Sequence, residues 1–225
     1  TSSRKPSNRT MGCDKMLPPQ RDSGKLEQPL DMIPLPGGKA WDGRIAYLDR
    51  DGVINRGFED YVNSVDQVEL LPMAAKSIGE LRRSGFRVCV VTNQSPVGRG
   101  LWSRENLASI HSEIRRLLLL DDKDAHLDLV LHSPYAPWEN SWARKPNPGM
   151  LEASRQIMNH AHSDSSLSGL TILYGPDWKD RPSEDGSVMV GDRGVDMKAS
   201  AEFGVIGHRC DPDDGIGGVI QSILG

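Results

Sequence analysis

The chain has 225 residues, a formal net charge of −4, 26% charged and 37% hydrophobic side chains. That is enough for one domain with appendages and a full core without disulfides or a structural metal. The mild acidity excludes a general polyanion binder, no run approaches the roughly 18 apolar residues of a membrane span, and the scattered Cys13, Cys89 and Cys210 argue against a disulfide scaffold or a four-cysteine zinc site; the expectation is a soluble, cytoplasmic α/β protein.

Residues 1–40 stand apart. They hold no aromatic residue, six of the 15 prolines and a charge of +3, leaving −7 for 41–225. Such a segment cannot offset its ordering entropy by burial, so 1–40 reads as a flexible or extended tail and 41–225 as the folded domain. Its first 25 residues are basic and rich in Ser and Thr, faintly like a transit peptide, although a variable extension is the preferred reading. Met11-Gly12-Cys13 matches the start of an acylation signal, but Met16 stands where Ser or Thr is expected.

From residue 44 short apolar runs end in polar residues. Strands are predicted at 45–48, running into Asp49, at 86–91, running into Thr92, and at 127–131, 171–174, 188–190 and 205–206. Between them lie helices with readable ends. Pro72 opens one whose face is Ala74, Ile78 and Leu81, and Gly85 closes it. Ser103 caps a second, with Leu107, Ile110, Ile114 and Leu117 inward. Asn147-Pro148 opens a third, carrying Leu151, Ile157 and Met158, and Ile216, Val219, Ile220 and Ile223 mark a fourth. This alternation predicts a doubly wound parallel α/β sheet covered on both faces.

Ligands of such sheets bind beyond the carboxyl ends of the strands. There the sequence puts Asp49 and Asp51, then Thr92-Asn93-Gln94-Ser95, then Arg144-Lys145-Pro146 before a helix, and finally Gly191-Asp192 with Asp196. Two or three crowded carboxylates repel one another unless a hard divalent cation such as Mg²⁺ lies among them. Thr92 and the amides after it can bind phosphate oxygens, and Lys145 supplies a compact positive charge for the phosphate and its transition state. Each piece alone has a plain structural explanation: a strand-end Asp is often a turn or helix cap, and a Lys before Pro usually faces solvent. Four such pieces in this order form a set for phosphoryl transfer.

The segments Asp49-Arg50-Asp51-Gly52-Val53-Ile54-Asn55, Thr92-Asn93-Gln94-Ser95, Arg144-Lys145-Pro146-Asn147-Pro148-Gly149-Met150 and Gly191-Asp192-Arg193-Gly194-Val195-Asp196-Met197 resemble the four motifs of the haloacid dehalogenase (HAD) superfamily of phosphatases. The resemblance spans about residues 44–210. It is closest to the branch that contains D-glycero-D-manno-heptose 1,7-bisphosphate phosphatase and histidinol-phosphate phosphatase. It implies a Rossmann-like HAD sheet and Mg²⁺-dependent hydrolysis of a small phosphomonoester. Asp49 would be the nucleophile, and Asp51 the general acid and then the base. The metal set would be Asp49, Asp51 through its backbone carbonyl, and Asp192, with Asp196 supporting it. Thr92, Asn93 and Lys145 would bind the phosphoryl group and Arg144 the rest of the substrate. A sugar bisphosphate of the heptose type is the leading substrate and histidinol phosphate the alternative. A non-catalytic binding or scaffold protein on the same fold is the competing class, and the acidity of 41–225 disfavours a nucleic-acid substrate.

The chain departs from that branch between motifs two and three, where heptose phosphatases carry zinc-binding Cys-x-His and Cys-x-Cys pairs. Here Ser141 and Ala143 occupy the second pair, no cysteine lies between Cys89 and Cys210, and only His132 is left, so no zinc is expected. Trp138 and Trp142 in the replacing loop either wall the substrate or anchor the loop. The polar insert 175–186 reads as a lid, a dimer contact or a long hairpin. Only 41 residues separate Asp51 from Thr92 and 53 separate Thr92 from Lys145, which leaves no room for a large cap domain.

Overall fold

The computed structural model describes residues 16–22 and 24–225, so Met11-Gly12-Cys13 and most of the basic stretch before them lie outside the described residues. Strands form where apolar runs can be buried on both sides. They are β1 (Gln20–Arg21), β2 (Ile45–Leu48), β3 (Arg87–Asn93), β4 (Leu129–Ser133), β5 (Val188–Gly191) and β6 (Ile206–Arg209). Among the described residues they make one sheet in the order β1-β4-β3-β2-β5-β6, parallel throughout except for β1, which runs antiparallel to β4. The connections leave β2 in opposite directions, so β2 with its neighbours β3 and β5 forms the switch point where such sheets open a crevice.

Alternate residues of the strands feed two cores. Ile45, Tyr47, Cys89 and Val91 pack with α4 (Gly149–Ser163) and α5 (Gly194–Phe203). Ala46, Leu48, Val88 and Val90 pack with α1 (Ala74–Arg83), α3 (Arg104–Asp121) and the short α6 (Ile220–Leu224). A four-residue helix, α2 (Ser95–Gly98), follows β3. The Ser103 hydroxyl accepts the Asn106 N–H at the start of α3, as an N-cap should. No helix among the described residues is long and apolar enough to cross a membrane.

The structure differs from the sequence expectation in three places. Residues 171–174 form no strand: Leu170, Ile172 and Tyr174 pack against the core while the side-chain amide of Gln156 exchanges hydrogen bonds with the Leu173 main chain. The last predicted helix is a 3₁₀ turn over Gly215–Gly218 followed by α6, because Gly-Ile-Gly-Gly is a poor helix former. The largest difference concerns 16–40, read as part of a tail. Its described residues lie along the domain: Leu26 and Leu30 join the α4 and α5 core, and Leu35 is buried as well. The segment is tied down by β1 and by Arg82 and Arg87, which donate to the Ile33 and Pro34 carbonyls. Both arginines also pair with Asp128, whose side chain is fully buried. Single leucines among prolines carry no periodic signal, and arginine side chains replace the ladder that would have betrayed a strand.

The insert 175–186 contains no strand, which removes the hairpin reading. Trp178 and Arg181 stack on Phe203 of α5, and Glu184 forms a buried ion pair with Arg155 of α4.

Candidate active site

The chain leaves β2 at Asp49, whose N–H still donates to Val190 of β5, so Asp49 and the end of β5 are held side by side. Asp49 Oδ1 accepts the Arg50 N–H and lies 3.0 Å from Lys145 Nζ. Gly52 turns the chain at φ +76°, and a Cβ there would sit 2.7 Å from Asp192 Oδ2. Only glycine lets the two motif loops approach this closely. Gly191 makes room within motif four, since a Cβ on it would fall 2.2 Å from that of Asp196.

Asp196 is fully buried in the first turn of α5, where one carboxylate oxygen accepts the Arg193 N–H and the other lies 2.6 Å from Lys145 Nζ. Lys145 thus bridges Asp49 and Asp196. Burial alone would draw its pKa down, but the two carboxylates outweigh it and hold the ammonium charged. Carboxylate oxygens of Asp49, Asp192 and Asp196 all lie within 4.8 Å of one another. Three carboxylates meet one buried ammonium, and the only other cation paired with them among the described residues is the exposed Arg193, 3.6 Å from Asp192 Oδ2, so the cluster stays net negative. Burial first, then the neighbouring aspartates, push the pKa values of Asp49 and Asp192 upward against the pull of Lys145 on both and of Arg193 on Asp192. Asp192 Oδ1 is buried with no hydrogen-bond partner among the described residues. An orphaned acceptor in an anionic, all-oxygen cluster is what a hard divalent cation fits.

Asp51 is held differently. Its carboxylate accepts from Arg50 Nε and Nη2, from Asn55 Nδ2 and from Gln94 Nε2 at 2.8–3.1 Å. Burial would raise its pKa, but Arg50 and these donors more than compensate and hold it below the usual carboxylate value. Its side chain lies outside the acidic trio, so any contribution to a metal would come from its main chain. Gln94 also donates to Thr92 Oγ1, linking motif two to motif one.

Asp49, Asp51, Thr92, Asn93 and Lys145 line a cavity of about 460 Å³ together with Phe58, Glu59, Tyr61, Arg144, Arg193 and Lys198, and Asp192 lines an adjoining pocket that shares Asp51 and Arg193 with it. The structure therefore brings together Asp49, Asp51, Thr92, Asn93, Arg144, Lys145 and Asp192. The Asn93 side-chain amide exchanges hydrogen bonds with the Lys145 main chain and so holds the lysine loop, while Asn93 itself lines the cavity. Neither tryptophan lines the cavity: Trp138 is 72% exposed, and Trp142 donates to Glu152 Oε2, anchoring the loop. His132 is buried, with Nε2 3.2 Å from Gln20 Oε1. Phe58, Tyr61, Arg193 and Lys198 were not anticipated; of these, Arg193 lies inside motif four and Lys198 five residues after it.

No protein-family model matches the chain. It is 37% identical over 126 residues to the D-glycero-beta-D-manno-heptose-1,7-bisphosphate 7-phosphatase of Pseudomonas aeruginosa, covering 56% of this chain and 67% of the relative. It is 30% identical over 173 residues to the D-glycero-D-manno-heptose-1,7-bisphosphate 7-phosphatase of Thermosynechococcus vestitus, covering 72% and 75%. Against five such relatives the match spans 59–67% of their length. Among solved structures, the D,D-heptose 1,7-bisphosphate phosphatase of Bordetella bronchiseptica, complexed with magnesium and phosphate, superposes with a TM-score of 0.62 at 24% identity, over 80% of this chain and 98% of that one. A HAD-like phosphatase of Mesorhizobium loti gives 0.57 at 24% identity, over 86% and 91%. The sheet and the acidic crevice define a HAD-type phosphatase fold. Within that class the chain belongs to the family of the D-glycero-D-manno-heptose 1,7-bisphosphate 7-phosphatases.

Proposed function

We propose that the chain is a Mg²⁺-dependent phosphomonoesterase that removes a phosphate from a sugar bisphosphate such as D-glycero-D-manno-heptose 1,7-bisphosphate. The observation that carries this reading is the excess of negative charge in the Asp49, Asp192, Asp196 and Lys145 cluster, with its orphaned Asp192 oxygen, beside a cavity that Asp49 and Lys145 line together with Arg144, Arg193 and Lys198. Asp49 and Asp192 would hold the cation, together with the Asp51 carbonyl. When bound, it would neutralise the carboxylates and the phosphate dianion so that the two can meet.

Asp49 attacks phosphorus, and the bond to the ester oxygen breaks. The departing alkoxide takes a proton from Asp51, leaving an aspartyl phosphate. Asp51 then removes a proton from water, whose oxygen attacks the same phosphorus, releasing Asp49 and inorganic phosphate. The donors around Asp51 favour its anion, which suits this second step; the first step needs the carboxyl to hold a proton, which the approach of a phosphate dianion favours. Lys145 stabilises charge on the transferring oxygens while Asp196 and Asn93 fix its position. Arg144, Arg193 and Lys198 supply cationic contacts for the part of the substrate that does not react.

Phosphate release from heptose 1,7-bisphosphate, histidinol phosphate and p-nitrophenyl phosphate, each with Mg²⁺ and with excess EDTA, tests the proposal. The expected result is Mg²⁺-dependent release, fastest from the heptose bisphosphate. Turnover undiminished in EDTA would refute the metal, preference for histidinol phosphate would refute the substrate, and no turnover of any ester would favour a binding protein.

A further inference from the structure

Three buried groups behind Asp51, namely Arg50, His111 and Asp22, have no part in the steps above, and none of them lines the cavity. Arg50, whose side chain is 1% exposed, turns two of its three guanidinium nitrogens onto Asp51. The third, Nη1, lies 3.2 Å from His111 Nε2. His111 is buried on α3, and its other ring nitrogen, Nδ1, lies 3.2 Å from Asp22 Oδ1. Asp22 directly follows β1, where its N–H donates to Val130, and Arg115 Nη1 holds its second oxygen at 2.6 Å.

The chemistry of these contacts is directional. A guanidinium can only donate, so His111 Nε2 must offer its lone pair, and the proton of a neutral ring then sits on Nδ1, facing the Asp22 carboxylate. Burial, reinforced by Arg50 and Arg115 against the pull of Asp22, keeps the imidazole neutral as this requires. Arg50 thus selects the tautomer, the Asp22 charge 3.2 Å from Nδ1 favours a proton there without an aligned hydrogen bond, the ring gives buried Arg50 its acceptor, and Arg50 clamps Asp51. Without that acceptor the guanidinium has no fixed third contact and is free to swing, carrying its two Asp51 contacts with it.

The geometry points to His111, its ring backed by Asp22 of the N-terminal segment, as a positioning residue that acts through Arg50 on Asp51; this rests on the reading of Asp51 as the proton donor. The segment laid along the domain is then part of the catalytic apparatus. Proton donation matters more as the leaving group becomes more basic. Phenyl phosphate and p-nitrophenyl phosphate have similar shapes but leaving groups of different basicity, so their relative turnover reads the alignment of Asp51.

In Mg²⁺, His111→Leu should lose about 10–100-fold in kcat on phenyl phosphate, the scale of a misaligned catalytic group, and only about threefold on p-nitrophenyl phosphate. His111→Gln, whose amide oxygen can still accept from Arg50, should restore most of the phenyl phosphate rate. Adding His111→Leu to Asp51→Asn should cost phenyl phosphate turnover nothing further. If His111→Leu fails to fold, Asp22→Asn carries the same comparison and should shift the ratio in the same direction. Equal losses on both esters, no rescue by glutamine, or losses that multiply in the double variant would overturn the positioning role while leaving the phosphatase reading intact. A wild-type protein inactive on both esters, or an Asp51→Asn variant indifferent to the leaving group, would overturn the functional reading and this inference with it.

Discussion

Two buried ionic clusters sit on the same domain and differ in their balance. At one, Arg155 pairs bidentately with Glu184 at 2.5 and 2.7 Å, and also donates to Ser187 Oγ and the Gly43 carbonyl, while Tyr47 donates to Glu184. One charge of each sign meets there. At the carboxyl ends of the strands, three aspartates meet one buried lysine and the exposed Arg193, and Asp192 Oδ1 has no partner among the described residues. Balanced, saturated charge can serve the fold alone. Charge left unbalanced in a buried place costs stability and persists where a ligand completes it.

The steepest consequence falls on Asp49. Asp49→Asn should reduce turnover by on the order of 10⁶-fold, as for loss of a covalent nucleophile, and trap no phosphoprotein on rapid acid quenching. Near-normal turnover would place the nucleophile elsewhere. Asp192→Asn should lower turnover by about 10³-fold through loss of the metal. Because it relieves repulsion, it should leave the metal-free Tm unchanged or raised while abolishing the rise that Mg²⁺ produces in the wild type. A large fall in metal-free Tm would break the comparison.

The opposite pattern is expected at the balanced cluster. Arg155→Met should destabilise by about 3–5 kcal/mol in urea titration, the cost of leaving Glu184 buried and unpaired. The molecules that remain folded should keep their kcat. A kcat loss without destabilisation would make this cluster functional after all.

Acid probes the balance most gently, at His132. Burial first, then His111, Arg104 and Arg50, lower its pKa to about 3 against the pull of Asp22. The unfolded chain therefore binds this proton first. The stabilisation is whole above about pH 6.5 and drains away as pH falls toward 3, by up to about 1.4 kcal/mol per pH unit. Urea midpoints at pH 7, 5 and 4 should fall more steeply for the wild type than for His132→Gln, and parallel slopes would show that His132 does not contribute.

The site was legible in the sequence wherever local pattern and chemistry coincide. Apolar runs 45–48 and 188–190 end in Asp49 and Gly191-Asp192, and both the strands and the convergence of those acids appear in the structure. What went unread depends on contacts between distant residues. Asp22 meets His111 and Arg115 across some ninety residues of chain, and nothing in Gln20-Arg21-Asp22 announces a strand. Nothing local to Asn93 announces that its amide also holds the main chain of Lys145, 52 residues away. Residues 171–174 have the short apolar run of a strand but find a glutamine side chain where a strand would find a neighbour.

β1 pairs Gln20 with His132, so the strand that covers the β4 edge is synthesised first and seated late. While the ribosome is still short of residue 132, this segment has no edge to join and must wait in solution. Once β4 folds beside β3, its bare edge stays open to other chains until the waiting strand closes it. The order of synthesis thus keeps the protective strand tethered and at high local concentration at the moment the vulnerable edge appears. Supplied as a separate peptide, the same residues would have to find that edge by diffusion, in competition with every neighbouring nascent chain.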